Sequence, residues 1–485
     1  MRGATARRGE DVSETIEPDI CVIGAGSAGL TLAAAAAAFE VPVVLVEKAR
    51  MGGDCLNTGC VPSKALIAAA RHVALIREAP LFGVDAGKPQ IDFSAVNAHV
   101  HRVIASIAPN DSQERFTGLG VRVIREEARF ADPRTLVAGE SEIRARRFVI
   151  AAGSSPRVPQ IEGLDRVPFL TNESLFDLEK LPSHLIVIGG GPIGLEMAQA
   201  FRRLGSDVTV LEAARILGRD DAEFAEIVRR RLVGEGVVLR EGAKVARVAR
   251  RGRYGVRVHL QSEEGEVDQV DGTQLLIAVG RRPNVEGLGL AQAGVDFDDS
   301  GIRTDAHLRT SNRRIYAIGD IAGGFNFTHW ASYQAGQALR SILFRFGGKV
   351  NPDLIAWVTY TDPEIAHVGL TLTQARTRYR DVRILRWPLA ENDRAEAERC
   401  TEGFVRVLTT KRGKIVGADI VARGAGELIA PFALTIAKGL HVRDLMAMVL
   451  PYPTLAEAGK RAATSFYVPV PEAAKRAARL LRRFG

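Results

Sequence analysis

The sequence has 485 residues, 46% of them apolar and 25% charged. At about 150 residues per domain this length holds roughly three domains, and four cysteines are too few for a stabilising disulfide framework. No apolar run approaches the roughly 20 residues that cross a bilayer. The opening MRGATARRGEDVSETIEPD lacks an apolar export core, so the expectation is a cytoplasmic protein with no transmembrane segment. The net charge is +8, but the last fifteen residues, PEAAKRAARLLRRFG, hold five basic groups and one acid and account for half of it. The basic excess is therefore a local tail, residues 471–485, and no nucleic-acid partner is expected.

In chain order, residues 1–18 read as a flexible lead-in. Residues 19–50, DICVIGAGSAGLTLAAAAAAFEVPVVLVEKAR, give an apolar strand, a glycine turn, an Ala-rich helix and a second strand ending at Glu47, a βαβ unit. The next segment, GGDCLNTGCVPSK, brings Cys55 and Cys60 together. Their five-residue separation is about 140° around a regular helix, so the side chains would diverge if the segment were plainly helical. Gly59 permits a distorted backbone, and Pro62 suits the first turn of a helix. That would set Cys60 at the positive end of a helix dipole, which lowers a thiol pKa. With no second Cys or His cluster to complete a ligand set, no metal site is expected. Cys21, in an apolar strand, and Cys400, alone, read as small hydrophobes.

Residues 148–159, FVIAAGSSPRVP, and 275–284, LLIAVGRRPN, each run from an apolar strand through glycine, Gly153 and Gly280, into an Arg- and Pro-bearing turn suited to crossing between domains. Between them, residues 184–215, HLIVIGGGPIGLEMAQAFRRLGSDVTVLEAAR, repeat the first βαβ unit 165 residues on and end in the strand carrying Glu212. Gly24 to Glu47 and Gly189 to Glu212 are both 23 residues. One glycine motif is weak evidence, whereas two with matching acids are strong. Gly24 and Gly189 allow the tight turn, Gly26 and Gly191 let a pyrophosphate reach the backbone, and Gly29 and Gly194 let helix pack on strand. The helix N-terminus favours the phosphate, and Glu47 and Glu212 can accept from a ribose diol, so two dinucleotides are expected. Residues 313–324, RRIYAIGDIAGG, present Asp320 at the C-terminal end of a strand, the edge where α/β sheets bind ligands. Beyond about residue 350 the pattern becomes α+β. The fold class is α/β, with two Rossmann-like dinucleotide-binding domains and a C-terminal α+β domain.

GGDCLNTGCVPSK after a first dinucleotide motif resembles the active site of the FAD-dependent pyridine nucleotide-disulfide oxidoreductases. The resemblance extends through GAGSAG with Glu47, GGGPIGLEMA with Glu196, AVGRRPN, AIGD with Asp320, TDPEIAHVGLT and PYPTLAE. It implies FAD on residues 19–155 and 281–350, NAD(P)H on 156–280 and a dimerisation domain over 351–470. It further implies that Asp320 binds the flavin ribityl chain, that Lys64 and Glu196 sit beside the isoalloxazine, and that each subunit of a homodimer completes the other's active site. The implied reaction passes electrons from NAD(P)H through FAD to a Cys55–Cys60 disulfide, with Cys60 facing the flavin and Cys55 exchanging with substrate.

Disulfide-reducing relatives carry His-Pro-Thr with a Glu five residues after the His. Here the segment has Tyr452, Pro453, Thr454 and Glu457. A phenol with a pKa of about 10 is a poor base beside an imidazole at about 6.5, which disfavours efficient dihydrolipoamide turnover. Mercuric reductases resemble this chain in having Tyr there, and a soft metal ion suits thiolates. Their C-terminal cysteine pair has no counterpart after Cys400. The favoured expectation is a mercuric-reductase-like enzyme acting on a small-molecule or metal-ion acceptor, with dihydrolipoamide dehydrogenase as the alternative. A flavin-bound redox sensor or scaffold is the alternative of another class. Glu212 beside the adenosine ribose repels a 2′-phosphate, so NADH is expected over NADPH, although Arg215 and Arg219 could receive one. His329 is expected to be structural.

Overall fold

The computed structural model describes residues 14–253, 255–261, 268–344, 348–469 and 472–482. The chain forms two compact units, one from residues 1–189, 203–206 and 245–350, the other from 190–202, 207–244 and 351–485. Residues 156–280, expected as one nucleotide domain, are thus divided between them.

The first unit is built on a parallel sheet in the order Ile315–Ala317, Arg147–Ile150, Ile20–Ile23, Val43–Val46, Arg122–Ile124. Ile20–Ile23 and Val43–Val46 are buried at every position, as strands covered on both faces must be. On one face the helices Ser27–Ala37 and Thr328–Phe344 bring Ala28, Ala33, Ala36, Ala331, Ala335 and Ala338 into the core. These small side chains let the two helices approach closely. The other face rests on Phe130, Leu136, Ile143 and Phe148, the two phenyl rings edge-on at 5.2 Å. Leu136 and Ile143 belong to a second sheet, in the order Glu14–Ile16, Ser141–Ile143, Thr135–Ala138, Ala128–Asp132.

That second sheet corrects the expectation of a flexible segment through residue 18. Glu14–Ile16 pairs in parallel with Ser141–Ile143, Ile16 O accepts from Arg144 N at 2.9 Å, and Ile16 packs on the core. Residues 1–13 lie outside the described residues. The two segments read as crossings pair with each other, Ser154–Pro156 antiparallel to Arg281–Pro283. His184–Ile188 runs parallel to Gln274–Ile277.

In the second unit, strand Asp207–Glu212 pairs in parallel with Val238–Glu241. The C-terminal part is an antiparallel sheet in the order Ala356–Thr359, Glu364–Gly369, Ile415–Ala422, Phe404–Thr410, Val382–Pro388, backed by the helices Ala430–Lys438 and Glu457–Thr464. Buried Arg406 donates to Asp419 at 2.8 Å and to Asp221 at 2.7 Å. Asp221 caps the helix Ala222–Gly234, so this cation fastens the loop after Glu212 to the interface sheet. The helix Glu472–Leu481 exposes Lys475, Arg476 and Arg479; residues 471 and 483–485 of the expected basic tail lie outside the described residues.

One helical stretch, Gly53–Phe82, is long and apolar enough to cross a membrane by length and composition alone. It carries the cysteine pair, Lys64, Arg71 and Arg77 and packs against the helix Phe93–Ile107.

Candidate active site

The glycine turn after Ile20–Ile23 has the shape a dinucleotide requires. Gly24 is left-handed at φ 106°, and a Cβ there would fall 2.4 Å from Ala151 O. A Cβ on Gly29 would strike Gly24 O at 1.9 Å. The space above Gly26 is open, its nearest neighbour Gly53 Cα at 4.0 Å. Glu47 is fixed at the strand end, accepting from Ala25 N and Ala49 N, both at 2.6 Å, and its remaining lone pairs suit a ribose diol. These residues fit FAD: a cradle open to a pyrophosphate and an oriented carboxylate where a ribose would lie.

The cysteine segment breaks where the spacing requires. A short helix, Gly53–Asn57, ends at Thr58, Gly59 takes φ −123° and ψ −112°, and a new helix, Cys60–Glu78, begins at the second cysteine with Pro62 buried in its first turn. The break cancels the divergence a continuous helix would impose, and the two thiols share a hydrogen bond. Both are free thiols. The Cys60 pKa is lowered to about 6, first by the hydrogen bond from Cys55, then by the Thr328 hydroxyl and the Lys64 charge, against opposing burial and the Asp54 charge. Thr328 Oγ1 lies 3.5 Å from Cys60 Sγ. Cys55 is pushed up by donating to Cys60 and by its burial. The pair is thus asymmetric, with Cys60 as thiolate and Cys55 as thiol.

Asp320 stands just past strand Ile315–Ala317, as the sheet-edge argument requires, and accepts from Ser154 Oγ at 2.5 Å. Burial pushes its carboxyl upward, with Ser154 and Arg281 opposing. Gly153 and Gly280 are left-handed, at φ 67° and 112°, each one residue before a strand of the crossing pair. Arg281, Ser154, Asp54 and Thr328 were missed from sequence; only Asp54, directly before Cys55, carried a signal there.

The glycine turn is repeated after strand His184–Ile188. Gly189 is left-handed at φ 114°, nothing lies within 4 Å of a Cβ on Gly191, and Gly194 is buried. Glu212 accepts from Gly190 N at 2.7 Å and Ala214 N at 2.8 Å. These residues fit a second dinucleotide in the same way. Arg215 Nη2 is turned into its own loop, donating to Asp220 O at 3.0 Å and reaching Gly218 O at 3.5 Å. Glu196 is 5% exposed on the helix Pro192–Leu204 and accepts from Tyr360 N at 2.9 Å. In the C-terminal part of the second unit, Tyr452 is 68% exposed and donates its hydroxyl to Asp393 at 2.7 Å. That bond and the Asp393 charge raise its phenol pKa further, with the Glu457 charge adding to the effect. Glu457 opens the helix Glu457–Thr464. Asp393 gave no sequence signal, since it lies 59 residues from Tyr452.

Residues 18–335 match the family described as pyridine nucleotide-disulphide oxidoreductase, and residues 355–463 match its dimerisation domain. A mercuric reductase of Bacillus cereus is 36% identical over 92% of this chain and 71% of its own length. A dihydrolipoyl dehydrogenase of Staphylococcus aureus is 35% identical over 92% of this chain and 96% of its own. Among solved structures, LpdA from Mycobacterium tuberculosis superposes with a TM-score of 0.84 at 29% identity, covering 93% of this chain and 99% of that one. The HOCl-induced flavoprotein disulfide reductase RclA from Escherichia coli, in complex with Cu(II), gives 0.81 at 27% identity, covering 93% and 100%. The chain belongs to the pyridine nucleotide-disulphide oxidoreductases and is an FAD-dependent NAD(P)H oxidoreductase with a dimerisation domain.

Proposed function

We propose that this enzyme uses Cys55 and Cys60 as its redox pair and delivers electrons to a soft, thiophilic acceptor, in the manner of a mercuric reductase. The observation that carries this reading is the state of Tyr452. Where a base would be needed to move a proton during dithiol exchange, the hydroxyl is committed as a donor to Asp393 and held more firmly protonated. A thiolate such as Cys60 binds a soft cation without that base. Cys60 therefore supplies the anionic sulfur and Cys55 the second sulfur and its proton. A two-electron reduction of a divalent metal ion consumes one hydride equivalent and releases one proton, so no further oxidant or reductant is needed. The names of the relatives, mercuric reductase and dihydrolipoyl dehydrogenase, support both sides of this choice, and the state of Tyr452 favours the first.

FAD, when bound, supplies the two-electron carrier between a nicotinamide hydride and a disulfide. Around it, Gly26 and Glu47 would bind the pyrophosphate and ribose, Asp320 the ribityl hydroxyls, and Lys64 and Glu196 would take the flavin-facing roles that family resemblance gives them. Tyr452 and Glu457 would reach the partner subunit's site. Gly191 and Glu212 would hold the nicotinamide nucleotide, with NADH preferred. Both Glu212 oxygens stay anchored beside the glycine turn, and Arg215 Nη2 is turned to the carbonyls of its own loop.

The test is steady-state kinetics on one preparation of FAD-loaded enzyme with Hg(II) thiol complexes, low-molecular-weight disulfides and dihydrolipoamide, each with NADH and NADPH or with NAD in the dihydrolipoamide direction. The reading expects the metal complex to give the highest kcat/KM. Dihydrolipoamide-linked NAD reduction at ordinary enzyme rates rejects it, and a clear NADPH advantage rejects the role of Glu212.

A further inference from the structure

The first unit holds a buried cation beside the cysteine loop, Arg281. The Arg281 side chain is 11% exposed, and each of its nitrogens meets an oxygen. Nε donates to Ser154 Oγ and Nη2 to Ser154 O, both at 2.7 Å, while Nη1 lies 3.4 Å from Asn172 Oδ1. Nη2 is also 3.3 Å from Asp54 Oδ2, and Nε is 3.9 Å from Asp320 Oδ2. Ser154 Oγ in turn donates to Asp320 Oδ2. The guanidinium therefore stands between the carboxylate at the end of a sheet strand and the carboxylate one residue before Cys55.

Asp54 also shapes the cysteine loop. Its Oδ1 accepts from Thr58 Oγ1 at 2.7 Å and from Asn172 Nδ2 at 2.9 Å, and Asn172 reaches Thr58 O at 3.2 Å. A Cβ on Gly59 would fall 2.9 Å from both Asp54 O and Asp54 Oδ2, so the loop closes over Asp54 and leaves room only for glycine. The cost is a negative charge beside two sulfurs, which opposes thiolate formation on either. A fixed guanidinium against that carboxylate offsets its field.

We propose that Arg281 is a positioning residue for the redox loop: it holds Asp54 in its loop-closing place and offsets its charge beside the two sulfurs, while anchored through Ser154 to the Asp320 end of the sheet. This rests on the reading of Cys55 and Cys60 as the redox pair.

The test uses FAD-loaded enzyme reduced to the dithiol, with the rate of Cys60 alkylation by iodoacetamide and the long-wavelength thiolate-to-flavin absorbance both followed against pH. In Arg281→Met the bare carboxylate moves the midpoint upward, and alkylation well below the midpoint falls by about fivefold. In Asp54→Asn the midpoint moves downward and the same rate rises about two- to threefold. The double variant Asp54→Asn/Arg281→Met returns to within about twofold of the parent, because the paired charges leave together. Arg281→Lys keeps the charge without the planar fork, so its midpoint stays nearer the parent's than that of Arg281→Met. An unchanged midpoint in Arg281→Met overturns the proposal, as does a double variant no better than Arg281→Met. If Arg281→Met does not retain FAD, the same cycle on Arg281→Lys decides: an upward midpoint that Asp54→Asn/Arg281→Lys reverses supports the proposal, and an unmoved one ends it. Failure of the redox-pair reading looks different: Cys60→Ser would then leave the absorbance band in place.

Discussion

The two glycine turns copy each other well beyond their glycines and acids. Five residues after each acid the chain folds back on the residue following the first glycine: Gly52 N donates to Ala25 O and Leu217 N to Gly190 O, both at 2.9 Å. The backbone at that point is left-handed in both, φ 86° at Gly52 and 48° at Leu217. The first copy meets the demand with glycine. The second uses a leucine that is 2% exposed, whose burial offsets the roughly 1 kcal/mol or more of left-handed strain. The copies part at the next residue. Gly53 lies so close to Gly26 that a Cβ on it would fall 2.7 Å from Gly26 Cα, and it starts the turn that carries Cys55. In the second copy Gly218 leads instead to Asp221, the cap of a helix fastened by Arg406. In the proposed reading one nucleotide frame serves chemistry in the first copy and recognition in the second, and what differs is where the chain goes six residues past the acid.

The largest effect should come from removing what only the first copy has. Cys55→Ser or Cys60→Ser is expected to lower turnover with thiophilic acceptors by about 10³-fold or more, while NADH still bleaches the bound flavin. Steady-state and anaerobic stopped-flow measurements on the same variants check both halves. Next, Tyr452→His places an imidazole five residues before Glu457. General acid/base help is worth about 10²- to 10⁴-fold, so dihydrolipoamide-linked NAD reduction should rise by about 10²-fold, read as kcat/KM. No gain would mean that Tyr452 does not limit that reaction.

How much of this was legible in the sequence follows the range of the interactions. The repeat and the broken helix at Gly59 rest on contacts within about 30 residues, and their glycine, proline and acid spacings announced them. The strand Glu14–Ile16 did not, because three residues carry no readable period and its partner lies beyond residue 140. Arg281 was equally hidden: AVGRRPN looks like a turn, and only the pairing of Arg281–Pro283 with Ser154–Pro156 brings the side chain to Asp54. Leu217 defied propensity, since tertiary burial and not local preference holds its backbone.

The two acids then test whether the frames bind different cofactors. Glu47→Ala is expected to weaken FAD retention by about tenfold, read as flavin content after dialysis, through loss of a charge-assisted hydrogen-bond acceptor. Glu212→Ala should leave flavin content intact. Removing its charge should narrow the NADH-over-NADPH ratio of kcat/KM by about tenfold, a fraction of the full repulsion of a buried pair because solvent screens the site. Exchange of these phenotypes would mean that the nucleotides occupy the opposite copies.

The smallest effect is a pH dependence confined to the first copy. The folded pKa of Cys60, about 6, lies below the roughly 8.5 of a free thiol. In the dithiol form its contribution to stability is therefore absent below pH 6, grows as the pH rises through the folded value, and is complete above the unfolded one. Cys55, shifted upward by its bond to Cys60, acts in the opposite sense only once the pH passes the ordinary thiol range. Between about pH 6 and 8.5 the reduced enzyme should thus gain stability relative to Cys60→Ser, seen as a rising difference in Tm across that window. The disulfide form has no thiol to titrate and should show no such difference. A flat difference for the dithiol would place the thiolate elsewhere than on Cys60 and remove the asymmetry that sets the first copy apart.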